Sequence, residues 1–312
     1  MSRGRAAARL ALRGGLAAGL AFTVSAACHA GSLRYCDAPA ELSLAQRDRL
    51  LRFAAIIKSE LDASGGSVAL VARSGLDLGR FGMRYSHAGL SLKASDNTPW
   101  SVRQLYYACD ERRPRVFDQG IPAFLLGLDD PSGGYVSAVL LPGPQGRALE
   151  HAALDKRRAL QLLGASYSAN AHAFSLNYQN CNQWVAELMA TAWGGLDGAA
   201  ADGGLRGQAQ RWLKLNAYEP STFDVSGQPL VHLAAAFIPW LHRDDHPPQA
   251  LERQQFRVSM PASIEAFVRN TVPGATRLEF CHAGARVVVR RGWEPIAEGC
   301  TPGANDTVVM LD

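Results

Sequence analysis

Tyr85-Ser86-His87-Ala88-Gly89-Leu90-Ser91-Leu92-Lys93 reads as a β-strand with a histidine near its start. Asp96-Asn97-Thr98-Pro99 makes the turn that follows. Trp100–Ala108 (WSVRQLYYA) then runs back as the second strand of a hairpin. With the turn centred near Asn97, Gln104 or Tyr106 falls opposite His87. Gln104 is the better partner, because its amide oxygen can accept a ring N–H.

Working outward, Ser67–Arg73 (SVALVAR) is a short buried strand and Tyr135–Leu141 (YVSAVLL) a fourth. Residues 44–62 carry Leu50, Phe53, Ile57 and Leu61 at helical spacing, with Ser43 as cap and Gly65-Gly66 as stop. Ala148–Leu163 reads as a second helix ended by Gly164, and 164–181 as a polar, aromatic loop. A helix from about Gln183 to Trp193 puts Val185, Leu188, Met189 and Ala192 on one face. Gly194–Gly204 is a linker. Beyond it, helices are expected near 206–216, 229–241 and 262–270, and a small β unit over 277–300. Together these give an α+β fold: a small antiparallel sheet packed by helices, with a C-terminal extension.

Cys181 stands at the head of the 183–193 helix, in Asn180-Cys181-Asn182. Helix N-termini carry free N–H groups and positive partial charge, which favour a thiolate. The same N–H groups suit an oxyanion. A cysteine nucleophile needs a base close in space, and His87, held rigidly in a strand, fits that role. His172, in the loop before Cys181, is the rival base. Tyr178 and Asn180 are candidates for oxyanion or substrate contact, or simply for packing and capping.

The first thirty residues read as a secretory signal. Arg3, Arg5, Arg9 and Arg13 precede an apolar stretch from Leu16 to Ala27, and small residues stand ahead of Cys28. The apolar run is too short to span a bilayer, which takes about 20 residues. Ser25 stands where a lipoprotein signal carries a large aliphatic residue, so a lipid anchor at Cys28 is the lesser reading. A periplasmic or secreted location follows, with no transmembrane span after cleavage. The whole chain has a net charge of +4. Without the four signal arginines, basic and acidic residues balance, so charge does not point to nucleic acid.

An oxidising compartment favours paired cysteines. Cys281 and Cys300 flank an expected hairpin, and Cys36 with Cys109 is a plausible second pair. Cys181 is then left over as a candidate reactive thiol. Arg112, Arg113 and Arg115 read as a solvated loop. His242-Arg243-Asp244-Asp245-His246 has metal-binding residue types, but it precedes Pro247-Pro248 and reads as a loop or helix cap, so no metal and no cofactor is expected. Phosphate-loop, dinucleotide, G-x-S-x-G and H-E-x-x-H patterns are absent from the sequence.

Val68–Arg73, then Ser86-His87-Ala88-Gly89-Leu90, then Asn180-Cys181 heading a helix resembles the circularly permuted papain-like superfamily. That group includes NlpC-type peptidases and relatives of lecithin:retinol acyltransferase. The wider chain, from Cys36 to Pro247, is similar to a bacterial domain-of-unknown-function family numbered 2145. The resemblance implies Cys181 as nucleophile, His87 as base and a polar residue on the next strand. It implies a papain-like core over 31–195, after a signal at 1–30, with 196–312 as extension. The implied activity is a thiol-dependent hydrolase or acyl transferase acting on an amide or ester, with cell-wall peptide or an acyl lipid as substrate. The alternative is a non-enzymatic envelope binding module that keeps the fold.

Overall fold

Val68-Ala69-Leu70-Val71-Ala72 is apolar at every position, and in the computed structural model all five are buried, on both faces of a sheet. The structure describes residues 42–128, 130, 132–198, 203–226 and 240–311. The expected signal at 1–30, the Cys28 anchor, Cys36 and most of the 229–241 helix lie outside them. The described residues belong to one compact unit.

The strands are β1 (Val68–Arg73), β2 (His87–Leu92), β3 (Ser101–Ala108), β4 (Arg113–Gln119), β5 (Gly133–Leu140), β6 (Ser221–Asp224), β7 (Gln255–Val258), β8 (Thr276–Ala283), β9 (Arg286–Arg291) and β10 (Thr307–Met310). Eight of them form one antiparallel sheet in the order β10-β9-β8-β5-β1-β2-β3-β4, and β6 pairs with β7 in a separate ribbon. The helices are α1 (Leu44–Ala63), α2 (Ile121–Leu125), α3 (Gly143–Leu154), α4 (Lys156–Gln161), α5 (Cys181–Gly194), α6 (Gly204–Leu215), α7 (Pro248–Arg253) and α8 (Pro261–Thr271). The protein is thus mixed α and β, an antiparallel sheet packed by helices.

Strand alternation sorts the core into two layers. Leu70, Ala72, Ala88, Leu90, Leu92 and Leu105 meet Trp184, Val185, Leu188 and Met189 of α5, with Ile264 and Phe267 of α8 behind. Ala69, Val71, Val102, Val136 and Phe280 meet Phe53, Ile57 and Leu61 of α1 and Phe124 of α2. Each such Leu, Val or Phe, fully buried, is worth about 1.5–3 kcal/mol.

Three differences from the sequence reading have physical causes. Arg113 and Arg115 belong to edge strand β4, not a loop, and pair with Glu111; charge on the outward positions of an edge strand hides its strand character and blunts the edge. The 148–163 helix is two, α3 and α4, because Asp155 is extended and caps α4 by accepting from Arg157 N and Arg158 N. The C-terminal strands β8, β9 and β10 join the main sheet through β5, so the sheet runs to eight strands.

Cys281 and Cys300 are disulfide-bonded, with Cα atoms 5.5 Å apart. Cys109 is disulfide-bonded as well. Cys181 is the free cysteine among the described residues.

Candidate active site

Cys181 is the first residue of α5, a helix buried from Cys181 to Thr191. Asn180 is its N-cap: its Oδ1 accepts from Gln183 N at 2.7 Å, and its Nδ2 donates to Ala169 O. The side chain of Asn180 is therefore spent on holding the helix start.

The thiol meets β2 at a break in its pairing. Lys93 N donates to Ser67 O, so odd residues of β2 face β1 and even residues face β3. The β2–β3 ladder runs from Leu92↔Ser101 to Leu90↔Arg103 and stops there. Ala88 N–H lies one step beyond and is directed at the Cys181 sulfur. Burial pushes the thiol up to about 11; Ala88 N–H, the Arg73 charge and the N–H groups of Asn182 and Cys181 act the other way.

The His87 side chain sits on the opposite face of the sheet, with Gln104 and Tyr106. Its Nε2 lies 2.8 Å from Gln104 Oε1, and Gln104 Nε2 donates to Gln119 Oε1 at 2.8 Å. An amide oxygen only accepts, so His87 carries its proton on Nε2 and leaves Nδ1 as the basic nitrogen. The ring stacks on Tyr106, with centroids 4.6 Å apart, and meets Phe124 of α2. Burial and the Arg73 charge hold the imidazole well below its ordinary range, with the Gln104 hydrogen bond opposing them. At neutral pH the ring is uncharged. Gly89 lets the strands approach: a Cβ there would meet Val102 Cγ1 at 2.6 Å and Arg103 O at 3.0 Å.

The structure thus brings His87 and Gln104 together, on the diagonal of the hairpin with Tyr106 directly opposite the histidine, and puts the Cys181 sulfur against the next residue, Ala88. Among the described residues no hydrogen bond joins the thiol to the imidazole. His172 engages other groups: its N–H donates to Asp245 Oδ2 at 2.7 Å, its Nδ1 accepts from Phe174 N, and its ring abuts His246. Burial, then His246, lowers it to about 4. Tyr178 donates to Asp244 Oδ2 and stacks on His242. The 242–246 segment straps the loop before Cys181, through Asn170 Nδ2 to His242 O and His246 Nε2 with Asn170 O.

An apolar cavity of about 250 Å³ opens beside the thiol. Cys181, Asn182 and Ser86 lie in its wall with Leu76, Tyr107 and Trp240, and Phe223, Phe256 and Met260 extend it. Sequence reading missed Asn182, Gln119 and these walls. Asn182 adjoins Cys181, which is a local signal; the walls come from segments over 150 residues apart along the chain, which leave none.

This order of elements, a histidine strand followed by a cysteine-headed helix on an antiparallel sheet, decides which comparison bears on the site. The chain belongs to the bacterial family DUF2145. The family model, described as an uncharacterized protein conserved in bacteria, matches residues 60–268, which hold His87, Gln104, Cys181 and all the cavity walls named above. No curated protein and no solved structure matches the chain significantly. Among the described residues no helix is long and apolar enough to cross a membrane, and no group of three or more His, Cys, Asp or Glu converges as a metal site.

Proposed function

We propose that this chain is an exported thiol-dependent hydrolase or acyl transferase of permuted papain-like design. Cys181 is the nucleophile, His87 the base and Gln104 the group that orients the ring. One observation carries this reading: the Cys181 sulfur meets the N–H of Ala88, the residue next to His87, and lies in the wall of an apolar cavity, while Gln104 holds the His87 ring. The disulfide Cys281–Cys300 and the bonded Cys109 support export to an oxidising compartment. Residues 31–195 supply the reacting groups, and the 196–312 extension closes the cavity with Phe223, Trp240 and Phe256.

The resting pair is uncharged, so the mechanism is general-base catalysis rather than attack by a stored thiolate. The sulfur proton passes to His87 Nδ1 as the carbon–sulfur bond forms. This step needs Nδ1 within hydrogen-bond reach of the sulfur. The N–H groups of Cys181 and Asn182 face the developing oxyanion. The imidazolium then protonates the leaving nitrogen or oxygen, and water or a second acceptor takes the acyl group from the thioester. His172, bound to His246, Phe174 and Asp245, is the weaker base candidate, and Tyr178 and Asn180 serve the site by packing and capping.

A non-enzymatic envelope binding module is favoured by a separate observation: Cys181 is only 6% exposed, and no hydrogen bond joins its sulfur to the imidazole. One experiment separates the two. The full chain is incubated with cell-wall peptides and, separately, with acyl lipids and amides, and its intact mass is measured. An acyl or peptidyl adduct on Cys181 that is absent from Cys181→Ser supports the enzyme. Binding with neither adduct nor product supports the module.

A further inference from the structure

We propose that the cavity beside Cys181 binds an N-acyl amino acid, and that Asn182 reads the amide N–H. The reaction of that ligand rests on the function proposed above; its binding does not. Three features of one cavity specify three parts of one molecule.

The walls are the first. Leu76, Tyr107, Tyr167, Trp240, Phe256 and Met260 present carbon, so they take an acyl chain. The second is Asn182. It is 2% exposed, lies in the cavity wall, and its Nδ2 donates to Ser86 O, yet its Oδ1 has no partner. An orphaned buried acceptor is costly, and a ligand donor relieves it. The residue adjoins the nucleophile, so the donor it selects sits beside the scissile carbonyl. An amide offers that N–H; an ester does not. The third feature is charge. Arg80 and Arg243 are exposed residues of the lining, no described carboxylate pairs with either, and no Asp or Glu lines the cavity among the described residues. Exposed guanidinium groups in the lining suit a carboxylate.

Apolar acyl group, amide N–H and carboxylate, in that order, define an N-acyl amino acid. In the reaction the carbon–sulfur bond forms and the carbon–nitrogen bond breaks. The sulfur proton travels through His87 to the leaving nitrogen, which departs as the free amino acid. Water then cleaves the thioester to a fatty acid and restores the thiol.

The test is calorimetric binding to the full chain carrying Cys181→Ala, which removes turnover. The ligands are N-decanoylglycine, the matching ester O-decanoyl glycolate, and the neutral N-decanoylglycinamide. N-decanoylglycine should bind at least about tenfold more tightly than the ester, the size expected of one unmade buried hydrogen bond. Asn182→Leu should abolish that preference. The Arg80→Ala, Arg243→Ala pair should abolish the preference over the glycinamide. Equal binding of the three ligands, or no binding, overturns the proposal. Decanoate release by the unaltered chain is scored separately. Selective binding without release sinks the nucleophile and leaves this inference standing; release without N–H selectivity does the reverse.

Discussion

Gly89 has no side chain because β3 leaves no room for one, and the same close approach lets Gln104 reach His87. Gly89→Ala forces Val102 or the Arg103 carbonyl to move. It should cost about 1–3 kcal/mol, the usual range for overpacking, in a urea titration; a loss below 0.5 kcal/mol, with Gln104 still holding the ring by NMR, would show that the strands have slack. At this scale much was legible. Counting from the turn gave Gln104 or Tyr106 opposite His87; the register puts Tyr106 there, stacked on the ring, and Gln104 opposite Gly89, from where it reaches the ring on the diagonal. The face on which the ring sits does not follow from the same count, because the helix that carries Cys181 arrives from far along the chain. Nor does the state of the thiol: helix-start N–H groups favour a thiolate, but burial outweighs them.

Helix α5 shows a burial pattern that its sequence hides. Glu187 lies in the middle of it with no exposure, held by Arg206 of α6 at 2.9 and 3.1 Å and by Gln179 and Gln210. Arg206 also donates to the carbonyls of Leu176, Ser175 and Tyr178, so one guanidinium anchors the loop that leads into Cys181. Arg206→Ala strands a buried carboxylate and should lower the unfolding free energy by roughly 3–5 kcal/mol. A denaturant midpoint close to that of the unaltered chain would contradict this. Apolar spacing found α1 through Leu50, Phe53, Ile57 and Leu61, and α5 through Val185, Leu188 and Met189. It missed β4, whose outward arginines mimic a loop, and it ran α3 into α4, since it is blind to a cap at Asp155.

Across the whole molecule the C-terminal strands are part of the sheet that holds His87, and a buried charge network joins them to it. Glu279 of β8 accepts from the Tyr85 hydroxyl two residues before His87, from Arg84 Nη1 at 3.0 Å and from Ile296 N at 2.6 Å; Arg277 lies beside it and pairs with Glu265 of α8 at 2.9 Å. Sequence spacing carried none of this, because Arg84 and Tyr85 lie nearly 200 residues from Glu279. Burial opposes ionisation of Glu279, but Arg277, Tyr85 and Ile296 N–H outweigh it and hold its carboxyl below the ordinary range. A depressed carboxylate contributes stability in full above its unfolded-state pKa, and loses it as pH falls through the folded value. Acid unfolding should therefore show a limb below about pH 4.5 that Glu279→Gln reduces, with the variant also less stable at neutral pH by roughly 3 kcal/mol. A variant with an unchanged acid limb would remove Glu279 from the account. The catalytic reading holds only if the sheet and the helix make Cys181 reactive through His87. The most direct measurement is the labelling rate of Cys181 at pH 7 by a small chloroacetamide, on the native chain and on His87→Ala. The account predicts labelling without denaturant and a fall of at least about a hundredfold in the variant, the lower end of general-base catalysis. Labelling only after denaturation, or at the same rate in both chains, would contradict it.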